Sequence, residues 1–72
     1  MIIIKEIPLN NKYKIVVYYA YYGYNYFKVC LKKRKYFLFI KYWKTIRYLS
    51  TCYNHKIEDL IDELKYYSKI IN

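Results

Sequence analysis

One glycine, Gly23, and one proline, Pro8, occur in the 72 residues of this chain. A phosphate-cradling loop needs several glycines at fixed spacing, so a P-loop or a dinucleotide-binding turn is excluded. Histidine is equally scarce, with His55 alone, and the cysteines are two, Cys30 and Cys52. Zinc sites draw on closely spaced Cys and His pairs, which three residues so far apart do not provide. A single histidine with no acid beside it on a strand reads as a solvated or capping residue before it reads as a general base. The expectation is a protein that is not an enzyme and that uses no cofactor and no metal.

Other absences bound where the chain works. Small secreted domains usually hold themselves together with about two to four disulfides, so Cys30 and Cys52 are read as reduced thiols in a cytosol. The longest stretch without charge runs from Ile15 to Phe27 and is broken by Gly23 and Asn25. A membrane-spanning helix needs about 20 apolar residues, and no transmembrane segment is expected. Met1-Ile2-Ile3-Ile4-Lys5-Glu6 lacks the basic n-region and small-residue cleavage site of a signal peptide, which points to a cytoplasmic location.

Acid is also scarce, with five Asp and Glu against 14 Lys and Arg. Its placement is uneven. Residues 1–53 hold eleven Lys and Arg against Glu6 alone, whereas Glu58, Asp59, Asp62 and Glu63 crowd the C-terminal segment. A positive field of this kind attracts nucleic acid, anionic lipid or an acidic protein surface. Lys, Ile, Tyr and Asn make up 41 residues. All four have A/T-rich codons, so the position of the lysines and tyrosines carries more weight than their number.

What is abundant is β-forming sequence. The fold class is α+β: an antiparallel sheet of four to five strands followed by one C-terminal helix packed on one face, in a single domain over 1–72. Strands are expected at about 2–7, 13–22, 25–33, 36–42 and 44–49, from their β-branched and aromatic content and from turn residues at Asn10-Asn11 and Gly23-Tyr24. Phe27, Val29 and Leu31 alternate with Lys28, Cys30 and Lys32, the plainest period-two pattern of the chain. The helix is expected over about 55–71, because Ile57, Leu60, Ile61, Leu64, Tyr67 and Ile71 form one apolar stripe. Asn54 is the expected N-cap, and acids early with Lys65 and Lys69 late suit the helix dipole.

Two-residue turns at Gly23-Tyr24 and Arg34-Lys35 set an expected register. They place Val16, Tyr18, Ala20, Phe27, Val29, Leu31, Leu38 and Ile40 against the helix. Alternation then sends Tyr19, Tyr21, Tyr26, Lys28, Cys30, Lys32, Phe37, Phe39, Lys41 and Trp43 to the opposite face, which nothing else in the chain is left to cover. Lys32, Lys33, Arg34 and Lys35 form the densest basic cluster, at the tip of the second of these hairpins. A sheet face that interleaves rings with lysines suits single-stranded nucleic acid, the rings stacking on bases and the ammonium groups meeting phosphates. The same face also suits a host protein or ribonucleoprotein, or a second copy of the chain. A one-residue slip of register exchanges the two faces.

Lys35-Tyr36-Phe37-Leu38-Phe39-Ile40-Lys41-Tyr42 is similar to the second half of the RNA-recognition-motif signature, with Lys35, Phe37, Phe39, Ile40 and Tyr42 in matching places. Tyr36 and Leu38 replace its glycines, and the βαββαβ order of that fold is missing. In size and composition the whole chain resembles the small accessory proteins of phages and mobile elements, including anti-CRISPR proteins. That resemblance implies a viral inhibitor acting in the host cytoplasm, which covers the nucleic-acid site of a host complex such as a CRISPR effector with its guide RNA. The alternative is a single-stranded nucleic-acid-binding protein, and attachment to anionic membranes is a third reading.

Overall fold

In the computed structural model, which describes residues 1–71, three tight connections set the sheet. Ile2–Pro8 (β1) leads to Tyr13–Tyr21 (β2) through a turn made by Asn10. Its Oδ1 accepts hydrogen bonds from the backbone N–H groups of Lys12 at 2.8 Å and Tyr13 at 2.9 Å. Such side-chain capture of the backbone is why Asn favours turns. Asn25–Phe37 (β3) follows a loop in which Gly23 has φ +78°, a left-handed conformation that a side chain resists. Ile40–Thr51 (β4) follows a two-residue turn at Leu38 and Phe39. Strand order is β1-β2-β3-β4, every neighbour antiparallel. A 3-10 turn at Asn54–Lys56 leads into the helix Ile57–Ile71 (α1), which packs against the sheet.

The expected sheet of four to five strands is therefore a sheet of four, with the expected C-terminal helix on one side. The register of β2 differs from the expected one. Tyr21 pairs with Asn25, Tyr19 with Phe27, Val17 with Val29 and Ile15 with Leu31, so the loop holds three residues, Tyr22, Gly23 and Tyr24, and not two. Odd-numbered residues of β2 thus face the helix, and Val16, Tyr18 and Ala20 do not. The cause is Lys14. It shares parity with Val16, Tyr18 and Ala20, so the expected register would have turned a lysine toward the helix, whereas Tyr13, Ile15, Val17 and Tyr19 carry no charge.

The second hairpin also differs. Arg34 and Lys35 lie within β3, paired with Trp43 and Tyr42, and the chain reverses four residues later. Residues 36–37 therefore belong to β3 and 38–39 to the turn, while residues 40–42 of the expected fourth strand merge with the expected strand at 44–49 into β4. Leu38 occupies the turn with φ +57°, a conformation that bulky side chains rarely adopt. From Cys30 to Lys44 the sequence has no Gly, Pro, Asn, Asp or Ser to mark a turn. A bulge then shifts the β3–β4 register between Leu31 and Lys32. Ile46 and Leu49 are three residues apart and would face opposite ways on a regular strand; with Ile46 as the extra residue, both pack on the core.

That core is Tyr13, Ile15, Val17, Phe27, Val29 and Leu31 from the sheet against Ile57, Ile61 and Leu64 of α1. Full burial of one such aliphatic side chain stabilises by about 1.5–3 kcal/mol. Ser68 completes the buried side of the helix, its hydroxyl donating to the Lys65 carbonyl at 2.7 Å, while Ile71 at the end of the expected stripe is exposed. Asn54 is not the N-cap; it opens the 3-10 turn, whose cap Tyr53 makes no side-chain capping bond. Lys5 ties β1 to the helix through Glu58 at 3.1 Å. No helix among the described residues is long and apolar enough to cross a membrane.

Candidate nucleic-acid interface

Residues opposite one another in an antiparallel ladder share a face, so the pairings name the side turned away from α1. β2 contributes Lys14, Val16, Tyr18 and Ala20. β3 contributes Tyr26, Lys28, Cys30, Lys32, Arg34 and Tyr36, and β4 adds Lys41, Trp43, Thr45, Tyr48 and Ser50. Glu6 of β1, paired with Val16, is the acid of this open face. Cations are thus spread along the three strands and opposed by one carboxylate.

Of the residues expected on this face, Tyr26, Lys28, Cys30, Lys32, Lys41 and Trp43 are there, joined by Arg34, which was expected at the hairpin tip. Tyr19 and Tyr21 are turned to the helix side by the register of β2, and Phe37 by its pairing with Ile40. Tyr19 packs against the core, tilted on Phe27 at 5.2 Å between ring centroids, and its hydroxyl donates to Asn25 Oδ1 at 2.7 Å. Lys33 and Lys35 take the helix side of β3, so the basic cluster is divided between two faces and is not a hairpin tip. Phe39 stands fully exposed in the Leu38–Phe39 turn. The open face also holds Lys14, Tyr18 and Tyr48, which were not foreseen. Lys14 and Tyr18 could have been found from the parity of Lys14; Tyr48 depends on the bulge at Ile46, for which the sequence has no signal.

The cations lie across the rings. Lys28 Nζ is 4.4 Å from the Tyr48 ring centroid and Lys32 Nζ is 5.1 Å from that of Tyr18. Trp43 is flanked by Lys14 Nζ at 4.5 Å and Arg34 Cζ at 5.0 Å. Each such pair contributes about 0.5–1 kcal/mol at an exposed site. Val16 and Cys30 are each 1% exposed although no described element crosses this face. Their cover is the neighbouring rings and the methylene stems of the lysines, with the charged ends left at the surface.

The electrostatics are unbalanced. Lys14 and Lys32 are direct partners on adjacent strands, a placement of like charges that destabilises a sheet. Among the described residues only Lys14 of this pair has a counter-ion, Glu6 Oε1 at 3.0 Å. Burial pushes the Cys30 thiol above its ordinary pKa, against the opposing influence of Lys28, Lys32 and a hydrogen bond with Thr45. Cys30 and Cys52 are both free, the first buried and the second exposed.

Family models, curated proteins and solved structures give no match to this chain. His55 sits in the 3-10 turn beside Tyr53, with ring centroids 5.6 Å apart. Among the described residues no group of three or more His, Cys, Asp or Glu is arranged to hold a metal ion. A depression lined by Met1, Ile2 and residues 19–22 is shallow and open. The open face presents fixed positive charge beside aromatic rings over a flat surface, an arrangement suited to anions repeated along a strand.

Proposed function

We propose that this chain is a non-catalytic binding protein whose open sheet face takes the phosphodiester backbone and bases of a single-stranded nucleic acid. The observation that carries the reading is the direct pairing of Lys14 with Lys32, continued along β3 by Lys28 and Arg34 and opposed by Glu6 alone. Like charges set opposite one another are unfavourable for a sheet, and a polyanion relieves them. The rings are covered by the protein's own cations, so the two interactions must be weighed. Stacking on an aromatic side chain contributes about 1–3 kcal/mol per base, against about 0.5–1 kcal/mol for an exposed cation–π pair. Bases therefore displace Lys28 from Tyr48 and Lys32 from Tyr18, and the released ammonium groups swing out to the phosphates.

Trp43 is the one tryptophan of the chain and lies between two of these cations, so it reports on binding directly. Titration with a single-stranded oligonucleotide is expected to quench its fluorescence, and combining Lys28→Gln with Lys32→Gln is expected to weaken the binding. Unchanged fluorescence together with no mobility shift of the oligonucleotide at low salt would remove the proposal.

The same one-sided charge supports a second reading, occlusion of a nucleic-acid-handling host complex, the role implied by the likeness to anti-CRISPR proteins. There the face competes for, or covers, the RNA-lined surface of a ribonucleoprotein. Co-purification with a defined protein complex that survives nuclease digestion favours occlusion; a complex lost on digestion favours the strand-binding role.

A further inference from the structure

The pairing of β2 with β3 ends at Tyr13 and Lys33, whereas β3 and β4 continue together to Phe37 and Ile40. The Arg34 N–H still donates to the Lys12 carbonyl at 2.7 Å, and beyond it the sheet is a two-stranded arm. Its end is apolar and bare: Phe37 is 66% exposed, Leu38 80%, Phe39 101% and Ile40 63%. Leu38 holds φ +57° to close it, where Gly or Asn would be the unstrained choice.

The arm is layered along its axis. From the tip downward, the rungs are Phe37 with Ile40, Tyr36 with Lys41, Lys35 with Tyr42, Arg34 with Trp43 and Lys33 with Lys44. Apolar residues come first, then rungs that each join one ring to one cation, then a rung of two cations, and no acid lies anywhere between Lys33 and Lys44. A bilayer surface has the same order of chemistry. Acyl chains lie below a headgroup zone that concentrates Trp and Tyr, and anionic headgroups draw Lys and Arg to the phosphate level. With a rise of about 3.4 Å per residue, the turn and first rung are about 7 Å tall, within the roughly 5–10 Å that interfacial segments enter. Beyond Arg34 no strand flanks the arm on either edge, and its unpaired backbone groups forbid deeper entry. Cations and rings lie on both sides of the hairpin, Arg34, Tyr36, Lys41 and Trp43 on one and Lys35 and Tyr42 on the other. A protein groove would engage one side; a lipid interface surrounds the tip.

We propose that the β3–β4 arm is a membrane-anchoring finger that seats Phe37–Ile40 in the interface of an anionic bilayer. This does not rest on the nucleic-acid reading, because the residues seated in the interface, Phe37–Ile40, are no part of the open face, although Arg34, Lys41 and Trp43 of the arm belong to it. The test is flotation of the full chain with vesicles of phosphatidylcholine alone or mixed with phosphatidylserine. Partition onto the anionic vesicles only is expected. The double variant Leu38→Gly with Phe39→Ser keeps the turn and relieves its φ; it is expected to retain the circular dichroism of the parent and to lose vesicle affinity by at least about tenfold, since two apolar side chains leave the interface. Failure of the parent to float with anionic vesicles overturns the proposal, as does equal flotation of the folded variant. A variant that loses oligonucleotide affinity while its flotation is unchanged assigns the tip to nucleic acid, and also overturns it.

Discussion

Salt is the perturbation that separates a polyanion-binding face from a merely soluble one. Lys14, Lys28, Lys32, Arg34 and Lys41 share the open face, and Lys14 is partly committed to Glu6 at 3.0 Å. With about four to five phosphates neutralised and about 0.7 counterions released for each on a single strand, log K falls against log salt with a slope of about −2.8 to −3.5. From 50 to 200 mM salt this is a loss of roughly 50- to 130-fold in affinity. Lys32→Gln removes one phosphate contact and also the repulsion with Lys14, so the slope is expected to flatten by about 0.7 without loss of stability. Fluorescence anisotropy of a labelled single strand over a salt series measures both slopes. A parent slope shallower than about −1, equivalent to a loss of roughly fourfold over the same range, refutes the reasoning. An unchanged slope in Lys32→Gln would show that this lysine faces no phosphate.

Two further outcomes test the fold beneath the face. Ile15→Ala removes a side chain buried against the helix and is expected to cost about 2–5 kcal/mol, a large part of the roughly 4–11 kcal/mol ordinary for a chain of this size; Tyr18→Ala, half-exposed on the open face, is expected to cost about 1 kcal/mol or less. Urea denaturation followed by circular dichroism gives both values, and a larger loss for Tyr18→Ala would put β2 in the other register. Thiol reagents should modify exposed Cys52 at once and buried Cys30 only after unfolding. Because burial raises the Cys30 pKa, folding favours its protonated form, so its contribution is full below the thiol's unfolded pKa of about 8.5 and falls as pH rises above it. Equal labelling rates in the folded protein would place Cys30 at the surface.

The fold class was legible because period and composition agree over most elements. The alternation of Phe27, Val29 and Leu31 gave the facing of β3, and the stripe from Ile57 to Tyr67 gave the buried side of α1. The facing of β2 was also written in the sequence, in the parity of Lys14, but the apparent two-residue turn at Gly23-Tyr24 outweighed it; Gly23 serves a three-residue loop equally well. The β3–β4 reversal had no such clue. Leu38 and Phe39 are poor turn residues, and the turn is held by the long ladder on either side of it. The bulge at Ile46 follows from packing Ile46 and Leu49 on one core, a tertiary demand that strand propensity does not express. The open face therefore kept its basic and aromatic character while exchanging members: Tyr19, Tyr21 and Phe37 left it, and Lys14, Tyr18 and Tyr48 joined.

The central claim is that nucleic acid meets the face opposite the helix. Amide chemical shifts recorded during titration with a single-stranded oligonucleotide address it residue by residue. The account predicts the largest changes at Lys14, Tyr18, Lys28, Lys32 and Tyr48, with Ile61 and Leu64 of α1 nearly unmoved. Changes centred on α1, or a spectrum that oligonucleotide leaves unaltered, would contradict it.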